Sequence, residues 1–254
     1  MVASKLKERL IYFFIPISVM VITGLFISLF YIDLFKLDSY VGSGNVITEE
    51  RSVGNFNKIS VSDGINLFIE QDDGEVLTIE AEDNLIPRIG TRVIFGKLTI
   101  GFKGFSFIID SSEPINVYVK VKELRDIELS GGASVNCDEL KTNALEIDIT
   151  GESTGDLTVQ CTNLVVDATG GSVIDIEGLV DRQEIELNSW SNYDAGSLVS
   201  RECFAEINSG ASADINVSEK LVVEIHSNGV LNYIGNPDIT QEISSGGSLN
   251  KIED

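Results

Sequence analysis

The chain of 254 residues has few basic residues, one histidine and three cysteines, and each shortage excludes functions. Eighteen lysines and arginines stand against 40 aspartates and glutamates, which gives a net charge of −22. Because such a surface repels phosphate, a nucleic-acid-binding role is excluded. His226 has no metal-ligand partner at a suitable spacing, and Cys137, Cys161 and Cys203 form no CxxC pair. The cysteines leave two states open, one disulfide with an odd thiol or three buried thiols.

Charged residues are also missing from Leu10–Ile32, a segment of 23 mostly apolar residues. As a helix it would span about 34 Å, enough to cross a hydrocarbon core of about 30 Å. A cleaved signal peptide is the alternative interpretation. However, the run is long for a signal peptide, and no clear A-x-A cleavage site follows it. We therefore predict one uncleaved transmembrane helix at 10–32.

The orientation of this helix follows from the charges beside it. Lys5, Lys7 and Arg9 precede the helix, and the positive-inside rule places that end in the cytoplasm. We predict a cytoplasmic tail at 1–9 and a linker at 33–44. Everything after the linker is then expected outside the cell membrane.

Seven short segments in the second half resemble one another at spacings of 18 to 20 residues. Each alternates apolar and polar residues and ends at Gly, Ser, Asn or a similar turn residue, which predicts a strand with one buried face followed by a turn. With about three strands per unit and no convincing helix, this period predicts a right-handed parallel β-helix or similar solenoid over 126–254. The segments begin at Ile127, Ile147, Val166, Ile185, Ala205, Val223 and Gln241.

Residues 45–125 are also rich in candidate strands but do not follow this period. An irregular β section is expected there, because the end of a β-helix needs a cap. No Pro/Gly-rich linker separates the two halves, so we predict one continuous domain over 45–254. The candidate strands are Lys58–Val61, Ile65–Glu70, Val76–Ala81, Arg88–Ile94, Lys97–Phe102 and Ile115–Val121.

One position of the repeat is acidic in all seven segments. In register, these carboxylates would lie about 5 Å apart along one face, where like charges are destabilising. The simpler interpretation is a solvated outer face that prevents aggregation. The alternative is a ladder for Ca²⁺ or a cationic ligand, because carboxylate oxygens suit calcium. The residues are Glu128, Asp148, Asp167, Glu186, Glu206, Glu224 and Glu242.

Trp190 and Tyr193 interrupt the small residues of the fourth turn. As an exposed aromatic pair they could stack on a sugar ring or anchor a protein partner. Packing within the turn is the other interpretation. No carboxylate pair stands out among the many acidic residues as the site of a sugar hydrolase or lyase, and no catalytic residue is predicted.

Several segments beyond the predicted helix resemble, in order, the head GIN domain family, whose members are labelled "putative auto-transporter adhesin". They include SDGIN at 62–66, LTIEAEDNLIPRI at 77–89 and LNYIGNPDITQEISSGGSL at 231–249. The resemblance implies a surface-exposed β-helical domain and supplies no catalytic residue. The turns at 188–190 and 208–209 depart from the usual Ser-Gly pattern, so less uniform stacking is expected there.

We therefore expect a single-pass membrane protein that presents an acidic β-solenoid outside the cell. Its expected role is that of a binding, adhesin-like or envelope-scaffolding module, without catalysis or a resident cofactor. The expected partners are the membrane, through the N-terminal helix, and a surface glycan or an envelope protein. The alternatives are a carbohydrate-active β-helix enzyme and a sensory ectodomain.

Overall fold

The computed structural model of the chain describes residues 38–104 and 107–253. The predicted tail at 1–9 and the predicted transmembrane helix at 10–32 lie outside the described residues. Within the described ranges, the helical structure is one short 3-10 helix, Ile86–Arg88, and no helix there is long and apolar enough to cross a membrane. The prediction of an all-β domain is confirmed.

The described residues form nineteen strands in two compact units. The strands are β1 (Asp38–Val41), β2 (Val46–Arg51), β3 (Lys58–Val61), β4 (Asn66–Gln71), β5 (Val76–Glu82), β6 (Ile89–Ile94), β7 (Lys97–Phe102), β8 (Phe107–Asp110), β9 (Asn116–Val121), β10 (Asp126–Leu129), β11 (Ser134–Lys141), β12 (Ala144–Ile149), β13 (Thr154–Ala168), β14 (Val173–Leu187), β15 (Asn192–Ile207), β16 (Ser212–Ile225), β17 (Val230–Ile234), β18 (Asp238–Ile243) and β19 (Ser248–Lys251). In the smaller unit, β1 pairs in parallel with β8. The larger unit contains the other strands, which are hydrogen-bonded into one continuous sheet.

The second half of the chain is a parallel β-solenoid, as predicted. β12 pairs in parallel with β13, and the pairing continues coil by coil through β14, β15 and β16 to β17, β18 and β19. The strands β13 to β16 have 14 to 16 residues each, in place of the expected three strands per coil. The reason is that backbone pairing between neighbouring coils resumes directly after each bend.

The buried face predicted for each strand is confirmed, and its side chains form apolar ladders along the core of the solenoid. In β10 and β12 to β16, residues at alternate positions are buried and pair in register with their equivalents in the next coil. The last coil differs, because Ile243 exposes 38% of its surface. The two ladders are Ile127, Ile147, Val166, Ile185, Ala205, Val223 and Leu129, Ile149, Ala168, Leu187, Ile207, Ile225.

Each of the seven repeats ends in the same tight turn, with two consecutive residues at positive φ between 51° and 84°. This conformation costs a non-glycine residue about 1–2 kcal/mol, which explains the many glycines. The turns also hydrogen-bond to one another, for example from Trp190 N–H to the Ser209 carbonyl at 3.2 Å. Stacking is therefore continuous even at the turns where less uniform stacking was expected. The pairs are Gly131-Gly132, Gly151-Glu152, Gly170-Gly171, Ser189-Trp190, Ser209-Gly210, Ser227-Asn228 and Ser245-Gly246.

The parallel stack begins earlier than the predicted repeats. β3 and β4 pair in parallel with β10 and β11, and β7 and β9 pair in parallel with β3 and β4. Asp63 and Gly64 form another turn of the same kind, whose Gly64 N–H donates to the Gly131 carbonyl at 3.0 Å. Antiparallel pairing, by β2, β5 and β6, completes this first section. The six strands predicted here are confirmed to within one residue at either end.

The segment after β1, predicted as part of a linker, is held by a buried carboxylate. Glu82 is fully buried and accepts hydrogen bonds from Gly44 N–H at 2.7 Å, Ser111 Oγ at 2.7 Å and Ser112 Oγ at 2.6 Å. The bonds from Ser112 and Ser111 hold the pKa of Glu82 below its ordinary value. A Cβ atom on Gly42 would lie 1.9 Å from Glu82 Oε2, so any other residue there would displace this carboxylate from its hydrogen bonds.

Candidate binding surfaces

The seven acidic residues of the repeat form one column in register, with one carboxylate per coil. We call this the first acidic column, and it contains Glu128, Asp148, Asp167, Glu186, Glu206, Glu224 and Glu242. Lys97 Nζ pairs with the carboxylate of Glu128 and neutralises this end of the column. Further along, Asn208 Nδ2, directly after the end of β15, donates to Glu206 Oε1 at 2.8 Å.

Burial, together with repulsion within the first acidic column, raises the pKa of two of its carboxylates. Burial, followed by the charges of Glu128 and Asp126, raises the pKa of Asp148. Burial, followed by the charges of Glu186 and Asp148, raises the pKa of Asp167. Within residues 38–104 and 107–253, no three His, Cys, Asp or Glu side chains are grouped closely enough to hold a metal ion. The column is therefore a row of single carboxylates, whereas Ca²⁺ takes 6–8 oxygen ligands.

A groove lined by carboxylates of the first acidic column and by apolar side chains runs along this face. Val165, Glu184, Phe204 and Val222 occupy consecutive coils in the neighbouring outward column. The Arg182 guanidinium covers the Phe204 ring, with its Cζ 3.9 Å from the ring centroid. The groove has a volume of about 350 Å³. This face combines anionic and apolar side chains, and its aromatic ring is already occupied by a cation from the same chain.

A second acidic column, not predicted from the sequence, runs along another outward face. It follows the same coils in register, and its four aspartates are flanked by asparagines. Burial, followed by the charges of Asp194 and Asp156, raises the pKa of Asp175. Each member lies eight positions after a member of the first acidic column, so the sequence does contain the signal. The second acidic column is Asn136, Asp156, Asp175, Asp194, Asp214, Asn232 and Asn250.

The second acidic column leads into an aromatic cleft at the first coils of the solenoid. Phe68 on β4 pairs in register with Tyr118 on β9 and with Asn136 on β11. The Phe68 and Tyr118 rings stack, with centroids 5.0 Å apart and ring planes inclined by 18°. The cleft has a volume of about 500 Å³. At its rim, Lys120 Nζ lies 2.9 Å from Glu70 Oε1.

Trp190 and Tyr193 do not form the exposed pair that was predicted. Trp190 is 78% exposed, and its indole lies over Gly210 in the next turn. Tyr193 is fully buried, because it occupies an inward position in the alternation of β15. Its hydroxyl donates to Gln183 Oε1 at 3.1 Å, and Gln183 Nε2 donates to Ser200 Oγ at 2.9 Å. The prediction that Tyr193 contacts a ligand was therefore wrong.

The surroundings of the three cysteines and of the histidine indicate structural roles for them. Cys137, Cys161 and Cys203 are free and buried, which agrees with the interpretation of three buried thiols. Burial raises the pKa of Cys137 and of Cys161 to about 11, so neither is a reactive thiolate at neutral pH. His226 Nδ1 lies 2.7 Å from Ser244 Oγ in the neighbouring coil, and this contact joins two stacked turns.

Comparison with known proteins supports this architecture. A putative adhesin of Bacteroides fragilis is 22% identical, with a TM-score of 0.77 over 85% of this chain and 100% of that chain. A putative lipid-binding protein of Parabacteroides distasonis is 22% identical, with a TM-score of 0.70 over 85% of this chain and 100% of the other. At this identity the two structures establish a shared fold. No curated protein sequence matches the chain.

A family model gives the more specific result. The family described as "Putative auto-transporter adhesin, head GIN domain" matches residues 55–237. The match begins just before β3 and ends just before β18, so it includes the aromatic cleft and most of both acidic columns. The chain therefore belongs to the head GIN domain family.

Proposed function

We propose that the protein is a membrane-anchored, surface-exposed binding module with an adhesin-like or envelope-scaffolding role. The observation that carries this proposal is the aromatic cleft, an open concavity of about 500 Å³ at the first coils of the solenoid. Coils about 4.8 Å apart hold the side chains beside it at fixed spacing, which favours recognition of an extended ligand. Membership of a family described as adhesins supports the same role.

The proposed anchor is a transmembrane helix at 10–32, with the N-terminus in the cytoplasm. Its support is the long uncharged apolar segment and the basic residues Lys5, Lys7 and Arg9 before it. The domain at 45–254, which we propose to be wound right-handed, then lies outside the cytoplasm. Its acidic character would keep it away from anionic lipid headgroups.

The anchor is tested by fractionation and by protease treatment of intact cells that express the full chain. We expect the chain to stay in the membrane pellet after an alkaline carbonate wash and to be cleaved by protease added outside. A matched variant without residues 10–32 should leave the membrane fraction. A full-length chain that is washed free, or is protected from the external protease, would contradict the proposal.

The binding role is tested with the full chain in detergent, screened against surface glycans and envelope proteins while product release is measured. Saturable binding without turnover is expected. Turnover would instead establish the alternative, a carbohydrate-active β-helix enzyme. A heat-unfolded sample of the same chain is the control, and equal binding by both samples would contradict a folded binding site.

A further inference from the structure

The aromatic cleft has a floor of rings at outward positions of the sheet. The inward neighbours of Phe68 and Tyr118 along their strands are buried, so the two rings face away from the core. A stacked cross-strand pair stabilises a sheet by itself. If the two rings served only to stabilise the sheet, they could be buried between neighbouring strands. Tyr118 nevertheless keeps 41% of its surface exposed. The exposed ring therefore remains accessible for contact with a ligand.

The rim of the cleft contains both hydrogen-bond donors and acceptors. Asn136 and Asp138 lie two residues apart on β11, on the same side as the rings, and both line the cleft. Glu70 and Lys120 line it from the adjacent strands. Together they offer carboxylate acceptors, an ammonium donor and an amide that does both. This mixture matches hydroxyl groups, each of which donates and accepts.

We propose that the aromatic cleft binds a carbohydrate, an inference that rests on the binding function proposed above. The apolar C–H face of one sugar ring stacks on Tyr118, and its hydroxyls bond to Asn136 and Asp138. A volume of about 500 Å³ suits a short oligosaccharide, and small-ligand sites commonly span about 300–1,000 Å³. A lipid chain is a poorer match, because charged side chains surround the rings.

The charge of the cleft narrows the class of sugar. Glu70, Asp138 and Glu139 line it against the single cation Lys120, and the face continues into the aspartates of the second acidic column. Acidic sugars such as uronic acids would be repelled from this surface. Neutral or amino-bearing sugars are therefore the proposed ligands.

The test uses the full chain in detergent on an array of neutral, amino-bearing and uronic-acid-containing glycans. Neutral or amino-bearing glycans should bind, and uronic-acid glycans should not. Tyr118→Ala should weaken binding about tenfold, the scale of one aromatic contact, whereas Tyr118→Phe should bind almost as the parent does. Asp138→Arg, at an exposed rim position, should also weaken binding.

Two controls keep the outcomes distinct. Phe95→Ala removes an exposed aromatic outside the cleft and should leave binding unchanged. Melting temperatures report folding, and if Tyr118→Ala unfolds, Asp138→Arg carries the test alone. Glycan binding unchanged in the folded cleft variants would overturn this assignment while the binding function stands. If no glycan binds, the carbohydrate assignment is wrong, and capture of an envelope protein decides whether the binding function survives.

Discussion

The two outward faces of the solenoid are built from the same coils but present different chemistry. On the first, every repeat carries an acidic residue, and the one lysine pairing with this column in the part of the chain that the structure describes is Lys97, at Glu128. On the second, the acidic run is limited to four coils and passes through asparagine into a pair of aromatic rings. The comparison shows that backbone stacking fixes the spacing of side chains but not their identity. The aromatic cleft arises where the antiparallel strand β5 joins β9.

The largest expected effect is at Gly178, which lies beyond the second acidic column on β14. Its φ is +121°, and a Cβ atom there would lie 2.0 Å from the Val159 carbonyl oxygen. Gly178→Ala should therefore destabilise the fold by roughly 2–3 kcal/mol, measured by chemical denaturation. Gly196, in the next coil, has its nearest neighbour at 3.7 Å, so Gly196→Ala is the matched control and should change stability little. Equal effects of both substitutions would show that this bend is not sterically restricted.

A smaller change in stability is expected when one aspartate is neutralised, and its size should differ between the two acidic columns. Asp148 in the first column lines the groove described above, and burial is the main cause of the raised pKa of Asp148 and of Asp175 in the second column. Asp148→Asn should stabilise the protein at pH 7 by about 0.5 kcal/mol, because it removes a like charge between neighbours. Asp175→Asn should stabilise it less. Thermal melting of both variants checks the order, and a destabilised Asp148→Asn protein would contradict repulsion as the dominant effect.

The pH dependence of the melting temperature should report the titration of carboxylates in both acidic columns. Asp148, Asp167 and Asp175 have raised pKa values, so the folded state binds their protons more tightly than the unfolded state does. Lowering the pH from 7 through these raised values should therefore increase the melting temperature. Below the ordinary carboxyl range the sign reverses, because Glu82 and Asp83 have lowered pKa values and lose stabilising interactions when protonated. A melting temperature that falls steadily from pH 7 would contradict this account.

The smallest effect is expected from salt. Raising ionic strength from 0.01 to 0.15 M shortens the screening length from about 30 to 8 Å, which should raise the melting temperature by about 1 °C or less. CaCl₂ at matched ionic strength should do no more, because the columns present single carboxylates. A much larger shift with calcium would instead support the cation ladder, and comparing Asp148→Asn with Asp175→Asn would show which column binds it.

Much of the fold could be predicted because the alternation of apolar and polar residues and the repeat period can be read directly from neighbouring parts of the sequence. Alternation located β3 and β7 at their observed bounds, and the period aligned the first acidic column. Tyr193 was misplaced because its turn neighbour Trp190 suggested exposure, although its position matches the buried Ile174 and Ala213 in adjacent coils. The cleft could not be predicted, since β4 and β9 are separated by an insertion that follows no repeat. Pairing between distant strands depends on the whole fold.

The stacked turns also divide the solenoid into coils of nearly equal size. Because each coil closes on itself through a turn that tolerates Gly, Ser, Glu, Asn or Trp, one coil is a self-contained segment of about 19 residues. Gain or loss of such a segment between β13 and β16 would change the distance from the aromatic cleft to the last turn by about 4.8 Å and leave the cleft intact. The length of the solenoid can therefore change by one coil at a time without changing the aromatic cleft in its first coils.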